Sequence, residues 1–220
     1  MLQASTLKYL KGLKKNNNKP WFDANRNSYD EARGDLVQLT ELLIKAISVF
    51  DPSISSLHAK DCLFRINRDI RFSKDKTPYK TNLASYFNKA GKKGNGAGYY
   101  LHIEPGQSFA AGGIWQPEPD VLMKVRQEID YSFNDWKKMM GSATFKKNFP
   151  KGFSENEVLS RPPKGYEDDN PAIQFIKQKS FVVSQPISDA QLQSKTLVQE
   201  LSKVYQAIYP LIEFINKAID

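Results

Sequence analysis

The 220-residue sequence predicts an α+β fold, an antiparallel sheet packed against long N- and C-terminal helices. Three observations carry this prediction. Apolar residues recur at three and four positions over residues 22–50 and again over 197–219, the mark of helices with one buried face. Between residues 64 and 115, short runs alternate apolar and polar side chains. Gly, Pro and Asn separate them, as in an antiparallel meander, which we expect to hold about four to six strands. The chain is long enough to bury a core without disulfides, and one α+β domain over residues 1–220 accommodates every element.

Residues 6–14 read as a short helix with Leu7, Leu10 and Leu13 on one side. Asn16, Asn17 and Asn18 end it, because asparagine competes for backbone hydrogen bonds and tolerates left-handed dihedrals. Pro20 opens a long helix at its first turn, where the missing N–H is no loss. That helix is expected to run to residue 50, burying Phe22, Tyr29, Ala32, Leu36, Leu39, Leu43 and Ile47. Asn25 is the polar exception on this face, and Arg26 and Asp30 are spaced to pair. Asn25 is either a satisfied amide or a ligand contact beside Trp21 and Arg26.

The densest chemistry lies in residues 65–80, with six cations (Arg65, Arg68, Arg71, Lys74, Lys76, Lys80) and two carboxylates (Asp69, Asp75). The alternation of Phe64, Ile66, Ile70 and Phe72 with polar neighbours predicts a strand that runs out into a basic loop. Thr77, Pro78 and Tyr79 end it, since proline cannot donate to a ladder. Arg68 falls on the apolar parity, and a guanidinium on a buried face must be paired, sit at a bulge or line a cavity. One reading is an anion site in which these cations clamp phosphate or carboxylate, arginine doing so bidentately. There Asp69 and Asp75 act as bases or orient the arginines, and Tyr79 stacks or donates a proton. The other reading is a solvated basic hairpin with Arg68 in an ion pair. On the first reading a pocket is expected where residues 68–71 meet the start of the Pro20 helix, with Trp21, Asn25 and Arg26.

The run R-D-I-R-F-S-K-D-K-T-P-Y-K at residues 68–80 resembles the signature of the domain-of-unknown-function 2461 family. The segment N-K-P-W-F-x-x-N-R at residues 18–26 resembles that family's opening. Further similarity lies at residues 98–103, 112–115 and 163–166. The resemblance spans nearly the whole chain and implies an α+β domain. It carries no established reaction, so it assigns no catalytic residues.

After the basic block, residues 83–87 read as a strand. The glycines of residues 88–98 raise the question of a phosphate cradle, but no helix pattern follows them, and Asn95-Gly96 reads better as a hairpin turn. Residues 99–104 and 109–115 are two more strands. His102 alternates with Tyr100 and Glu104. Only two histidines are present, which argues against a histidine-rich zinc site, and no metal or cofactor is expected. Gly112-Gly113 inside a strand marks a bulge or a close approach, either a ligand floor or room for a large neighbour such as Trp115. Residues 117–131 read as a helix that 134–140 extends, while 144–150 and 154–159 carry no clear period. Residues 162–166 form a rigid loop, 171–177 a short helix capped by Asn170, and 181–183 a strand. The last helix opens at Ser188 or Asp189, and Pro210 is expected to kink or split it.

The formal charge of +8 is concentrated in two places. Residues 1–20 hold five lysines and no acid, and residues 60–93 hold ten cations and three acids. The rest of the chain is net acidic. Local excess of this kind suits an anionic partner. The single cysteine, Cys62, forbids an intramolecular disulfide and reads as a small buried thiol. The N-terminus lacks the apolar core of a signal peptide, and no apolar run reaches membrane-spanning length, so a soluble, cytoplasmic protein is expected, with no membrane partner. Three functions remain open. The first is binding of a phosphate-bearing ligand, nucleic acid being one such, through the basic block and nearby aromatics. The second is an enzyme acting on a small phosphorylated or carboxylated substrate. The third is an interaction scaffold.

Overall fold

The computed structural model of the chain describes residues 1–154 and 158–220. Its sheet is an antiparallel meander in the order β1-β2-β3-β4, with β1 at Leu83–Phe87, β2 at Gly98–Ile103, β3 at Ser108–Ile114 and β4 at Phe181–Ile187. The helices are α1 Ala4–Lys15, α2 Lys19–Ala24, α3 Arg26–Ile47, α4 Ala59–Cys62, α5 Pro119–Tyr131, α6 Phe133–Gly141, α7 Ala143–Asn148, α8 Ile173–Ile176, α9 Asp189–Leu192 and α10 Leu197–Ile219. The fold class is the expected one, with long helices near both ends.

Strand periodicity sorts the sheet into two faces. Leu83, Ser85 and Phe87 of β1 point inward, as do Tyr99, Leu101 and Ile103 of β2, and all are buried. Helices α3 and α10 cover this face. Ile208 of α10 packs onto Gly112, where an added Cβ would lie 2.6 Å from its methyl. The hydroxyls of Thr40 in α3 and Ser85 in β1 meet at 2.7 Å, so the buried polar pair is satisfied within the interface. Tyr99 donates to Asp51 at 2.9 Å, and Tyr205 of α10 donates to the Tyr100 carbonyl at 3.1 Å. The buried residues form one apolar cluster running from Leu2 to Ile215.

Three expectations about elements need correction. The Pro20 helix does not run unbroken to residue 50. It is interrupted at Asn25, whose backbone leaves the helical region and whose side-chain amide donates back to the Trp21 carbonyl at 2.9 Å. Pro210 does not split α10 into two helices. The break falls earlier, between α9 and α10, and α10 is continuous through the proline. The strand expected over residues 64–72 does not form. Only two isolated bridges remain, Leu63 with Ser85 and Asn67 with Tyr79. The reason is local. Asp69 accepts from the backbone N–H of Arg71 at 3.3 Å, and Asp75 from that of Thr77 at 2.9 Å. Side chains that bond the backbone two residues on turn the chain and compete with a ladder.

Gly113 is the sheet position most dependent on glycine. Its φ is 128°, and an added Cβ would collide with the Phe181 carbonyl on β4. The close approach expected at Gly112-Gly113 is thus real, although its large neighbours are Ile208 and the β4 backbone rather than Trp115. Gly113→Ala should destabilise the protein by about 1–3 kcal/mol, the usual cost of a strained backbone position. A urea titration comparing the variant with the parent protein measures it.

Candidate ligand cleft and basic loop

The second face of the sheet carries Ala84 and Tyr86 of β1, Tyr100 and His102 of β2, Phe109 and Ala111 of β3, and Val182 and Ser184 of β4. Cross-strand pairing puts Tyr86 opposite Tyr100, His102 opposite Phe109, and Ala111 opposite Ser184. Over this face lies a cleft of about 690 Å³. Its walls include Phe64, Tyr86, Tyr100, Phe109 and Trp115, its floor Gly98 and Gly113, and its charged members Lys92 and Glu118. Trp115 stands 61% exposed at the edge. A mostly apolar, aromatic cavity with a few polar groups is the usual form of a small-ligand site.

A line of polar groups runs behind Tyr100. Its hydroxyl lies 3.1 Å from His102 Nδ1, and the Asn82 amide lies 3.4 Å from the same nitrogen. His102 Nε2 lies 3.3 Å from Glu104 Oε2. The other Glu104 oxygen accepts from Lys14 of α1 at 3.0 Å and from Thr81 at 3.1 Å. A carboxylate only accepts, so Nε2 carries the proton and Nδ1 accepts from the tyrosine. The imidazole is stacked on Phe109 at 4.7 Å, which fixes its plane. Burial lowers the His102 pKa and Glu104 opposes it, with burial prevailing. Burial also pushes Glu104 up, but hydrogen bonds from Lys14, His102 and Thr81 together hold it below its ordinary value. Burial pushes the Tyr100 phenol up to about 12, so it stays protonated at neutral pH.

The basic block is a loop closed at its base by backbone bonds from Arg68 N–H to the Pro78 carbonyl at 2.9 Å and from Lys80 N–H to the Ile66 carbonyl at 2.8 Å. Arg68 does not face the interior as its parity predicted; its side chain, 26% exposed, curls within the loop. There it donates to the Asp75 carboxylate, to the hydroxyl and carbonyl of Thr77, and more distantly to Ser73. Arg71 pairs bidentately with Asp69 at 2.7 and 3.0 Å. The Arg71 hydrogen bonds lower the Asp69 pKa, and the Thr77 N–H followed by Arg68 lowers that of Asp75. Lys76 donates to the Ile70 carbonyl at 3.0 Å. Four of the eight charged groups thus pair with one another and a fifth caps a carbonyl, holding the loop in shape.

Tyr79 is buried and stacked on Phe22 of α2 at 4.1 Å, and its backbone is held by the Asn17 amide at 2.9 and 3.1 Å. The block does meet the Pro20 helix, through this packed contact. Trp21 fills the space beside Gly12 and Tyr9. Asn25 spends its amide on the helix break. Arg26 lies over Phe22 and Tyr29 and reaches Asp30 at 3.4 Å. These three residues and Tyr79 build one aromatic cluster and do not line the cleft.

The cations that remain are Arg65, Lys74 and Lys80, none with an ion-pair partner among the described residues. Lys80 is half-buried, and its Nζ sits 5.3 Å from the centre of the Phe64 ring. Burial lowers its pKa, and the nearby charge of Arg65 lowers it further. The cleft residues Tyr86, Phe109, Trp115 and Lys92 were not singled out from the sequence as a site. The signal available was the shared parity of Tyr100, His102 and Glu104.

Fold and site together define an α+β protein whose antiparallel meander is clothed by helices on one face and carries an aromatic cleft on the other. Residues 5–214 match the profile of the family described as Conserved hypothetical protein (DUF2461), and the chain belongs to that family. No curated protein and no solved structure matches it. No helix among the described residues is long and apolar enough to cross a membrane, and none of their His, Cys, Asp and Glu side chains form a group of three or more able to hold a metal ion.

Two outcomes test this geometry. Arg68→Met should leave global stability within about 1 kcal/mol, as partly exposed ion pairs contribute little. It should nevertheless hasten chymotryptic cleavage at Phe72, which is 95% exposed at the loop tip. In NMR titration, His102 should protonate below the ordinary imidazole range. The unfolded chain then binds the proton more readily, so its contribution to stability falls as pH drops through that range.

Proposed function

We propose that this protein binds a flat, phosphate-bearing ligand, its ring among the aromatic walls of the cleft and its charge met by Lys80, Arg65 and Lys92. The observation that carries the reading is Lys80. A half-buried ammonium beside a second cation, with no ion-pair partner among the described residues, is disfavoured by burial and repulsion although it rests over the Phe64 ring. An anion at that edge relieves both the burial and the repulsion. Phe64 joins the two halves of the site, since it lies under Lys80 and its ring centre is 6.2 Å from that of Tyr100.

The arginines at 68 and 71 enter this reading as scaffolding, because their donors are engaged by the loop's own oxygens. The shared chemistry is a ring with a phosphate attached, from a free nucleotide or from an unpaired base in single-stranded nucleic acid. We place the activity in the cytoplasm. The lone thiol of Cys62 is buried and its pKa pushed up to about 12, so it is protonated and suits a reducing compartment.

Trp115 fluorescence provides the test, with nucleoside monophosphates and a short single-stranded oligonucleotide as titrants and inorganic phosphate as control. Saturable quenching is expected with at least one of the first two, and it should be lost in Trp115→Phe. Lys80→Met should weaken binding about tenfold or more, the usual value of a charge-assisted contact, while stability stays level or rises. Equal affinity in the parent and Lys80→Met proteins would falsify the anion assignment.

A further inference from the structure

The line Tyr100–His102–Glu104 has a consequence beyond binding. We propose that the cleft is a proton-transfer site, in which Tyr100 is the catalytic residue and His102 with Glu104 forms a relay behind it, acting on a flat, conjugated anion that has an acidic C–H beside a carbonyl. The inference rests on the cleft being the ligand site.

Three features support it. Tyr100 lines the cleft while His102 and Glu104 do not, so only the phenol meets a ligand. Tyr100 and His102 sit at alternate positions of β2 and Glu104 follows just past its end, with contacts at 3.1 and 3.3 Å along the line. Two donors, Tyr100 and Asn82, face Nδ1, which leaves that nitrogen unprotonated and hydrogen-bonded to the phenol whose proton it would accept. The stacked Phe109 and the hydrogen bonds of Lys14 and Thr81 to Glu104 hold the relay in place. A donor or base fixed in this way by its neighbours is what general acid–base catalysis requires.

The step balances without a co-reactant. The C–H bond of the substrate breaks and its proton passes to the Tyr100 oxygen as the phenolic proton moves to His102 Nδ1. The products are an enolate and an imidazolium, the latter paired with Glu104. The proton then returns from Nδ1 through Tyr100 to the enolate oxygen, giving the enol and restoring the neutral relay. Nothing is oxidised or reduced. Lys92, in the wall of the cleft with one ammonium proton given to the Lys60 carbonyl at 2.8 Å, is the cation available to offset the charge that develops on the enolate.

Phenylpyruvate is the probe, being flat, anionic and interconverted between keto and enol forms that differ in ultraviolet absorbance. Enol–keto exchange should run faster with the protein than in buffer. Tyr100→Phe should lower kcat about a hundredfold with KM nearly unchanged, as should His102→Gln, whereas a merely structural role would raise KM and lower the melting temperature together. Binding is followed separately by Trp115 quenching. Saturable quenching with no difference in rate between parent and Tyr100→Phe overturns the relay and leaves the cleft reading standing. Absence of quenching by phenylpyruvate and by nucleotides overturns the cleft and the relay with it.

Discussion

The whole arrangement depends on a sheet whose one face is fully buried and whose other face is only partly covered. Helices α3 and α10 lie across Leu83, Phe87, Tyr99, Leu101 and Phe181, and the strand period of two then sends Tyr86, Tyr100, His102 and Phe109 the other way. An antiparallel sheet tolerates one open face, but that face is normally polar. Here it is aromatic, with tyrosine hydroxyls tied to Gly96 and to His102. Rings of this kind present an apolar body and a polar tip, so a half-covered surface can be both stable and receptive.

The same economy governs the basic loop. Its charges first solve a backbone problem. The loop reaches far from the core, with Phe72 exposed at its tip, so its amides and carbonyls lack a ladder. Asp69, Asp75, Arg68 and Lys76 supply those partners from within. A cluster of charge can therefore be structural at its centre and still leave unpaired cations at its base, where Lys80 lies over Phe64 of the cleft wall.

Much of the fold was legible. Periodicity located α5 and β1 to β3 to within a few residues and found the long helices α3 and α10 without their true starts, because each buries one clear face. The loop was misread because its alternation is that of a strand, whereas two aspartates at turn-forming spacing outweigh the pattern. The helix break at Asn25 was misread for a related reason, an amide whose own backbone bond competes with the helix. The cleft was not legible as a whole. Which face of the sheet stays open is decided by where α3 and α10 pack, and that is a property of the assembled layers. The parity of Tyr100, His102 and Glu104 was in view, but their role depends on the packing of α1 and β3 around them.

The bond from Lys14 to Glu104 joins positions 90 residues apart and couples α1 to the edge of β2. Lys14 lies in the last turn of its helix, and Glu104 just beyond the end of its strand. Loss of that bond alone would withdraw a positive charge from Glu104, and the carboxylate would become more basic. One lysine of the first helix thus helps set the basicity of a carboxylate far along the chain.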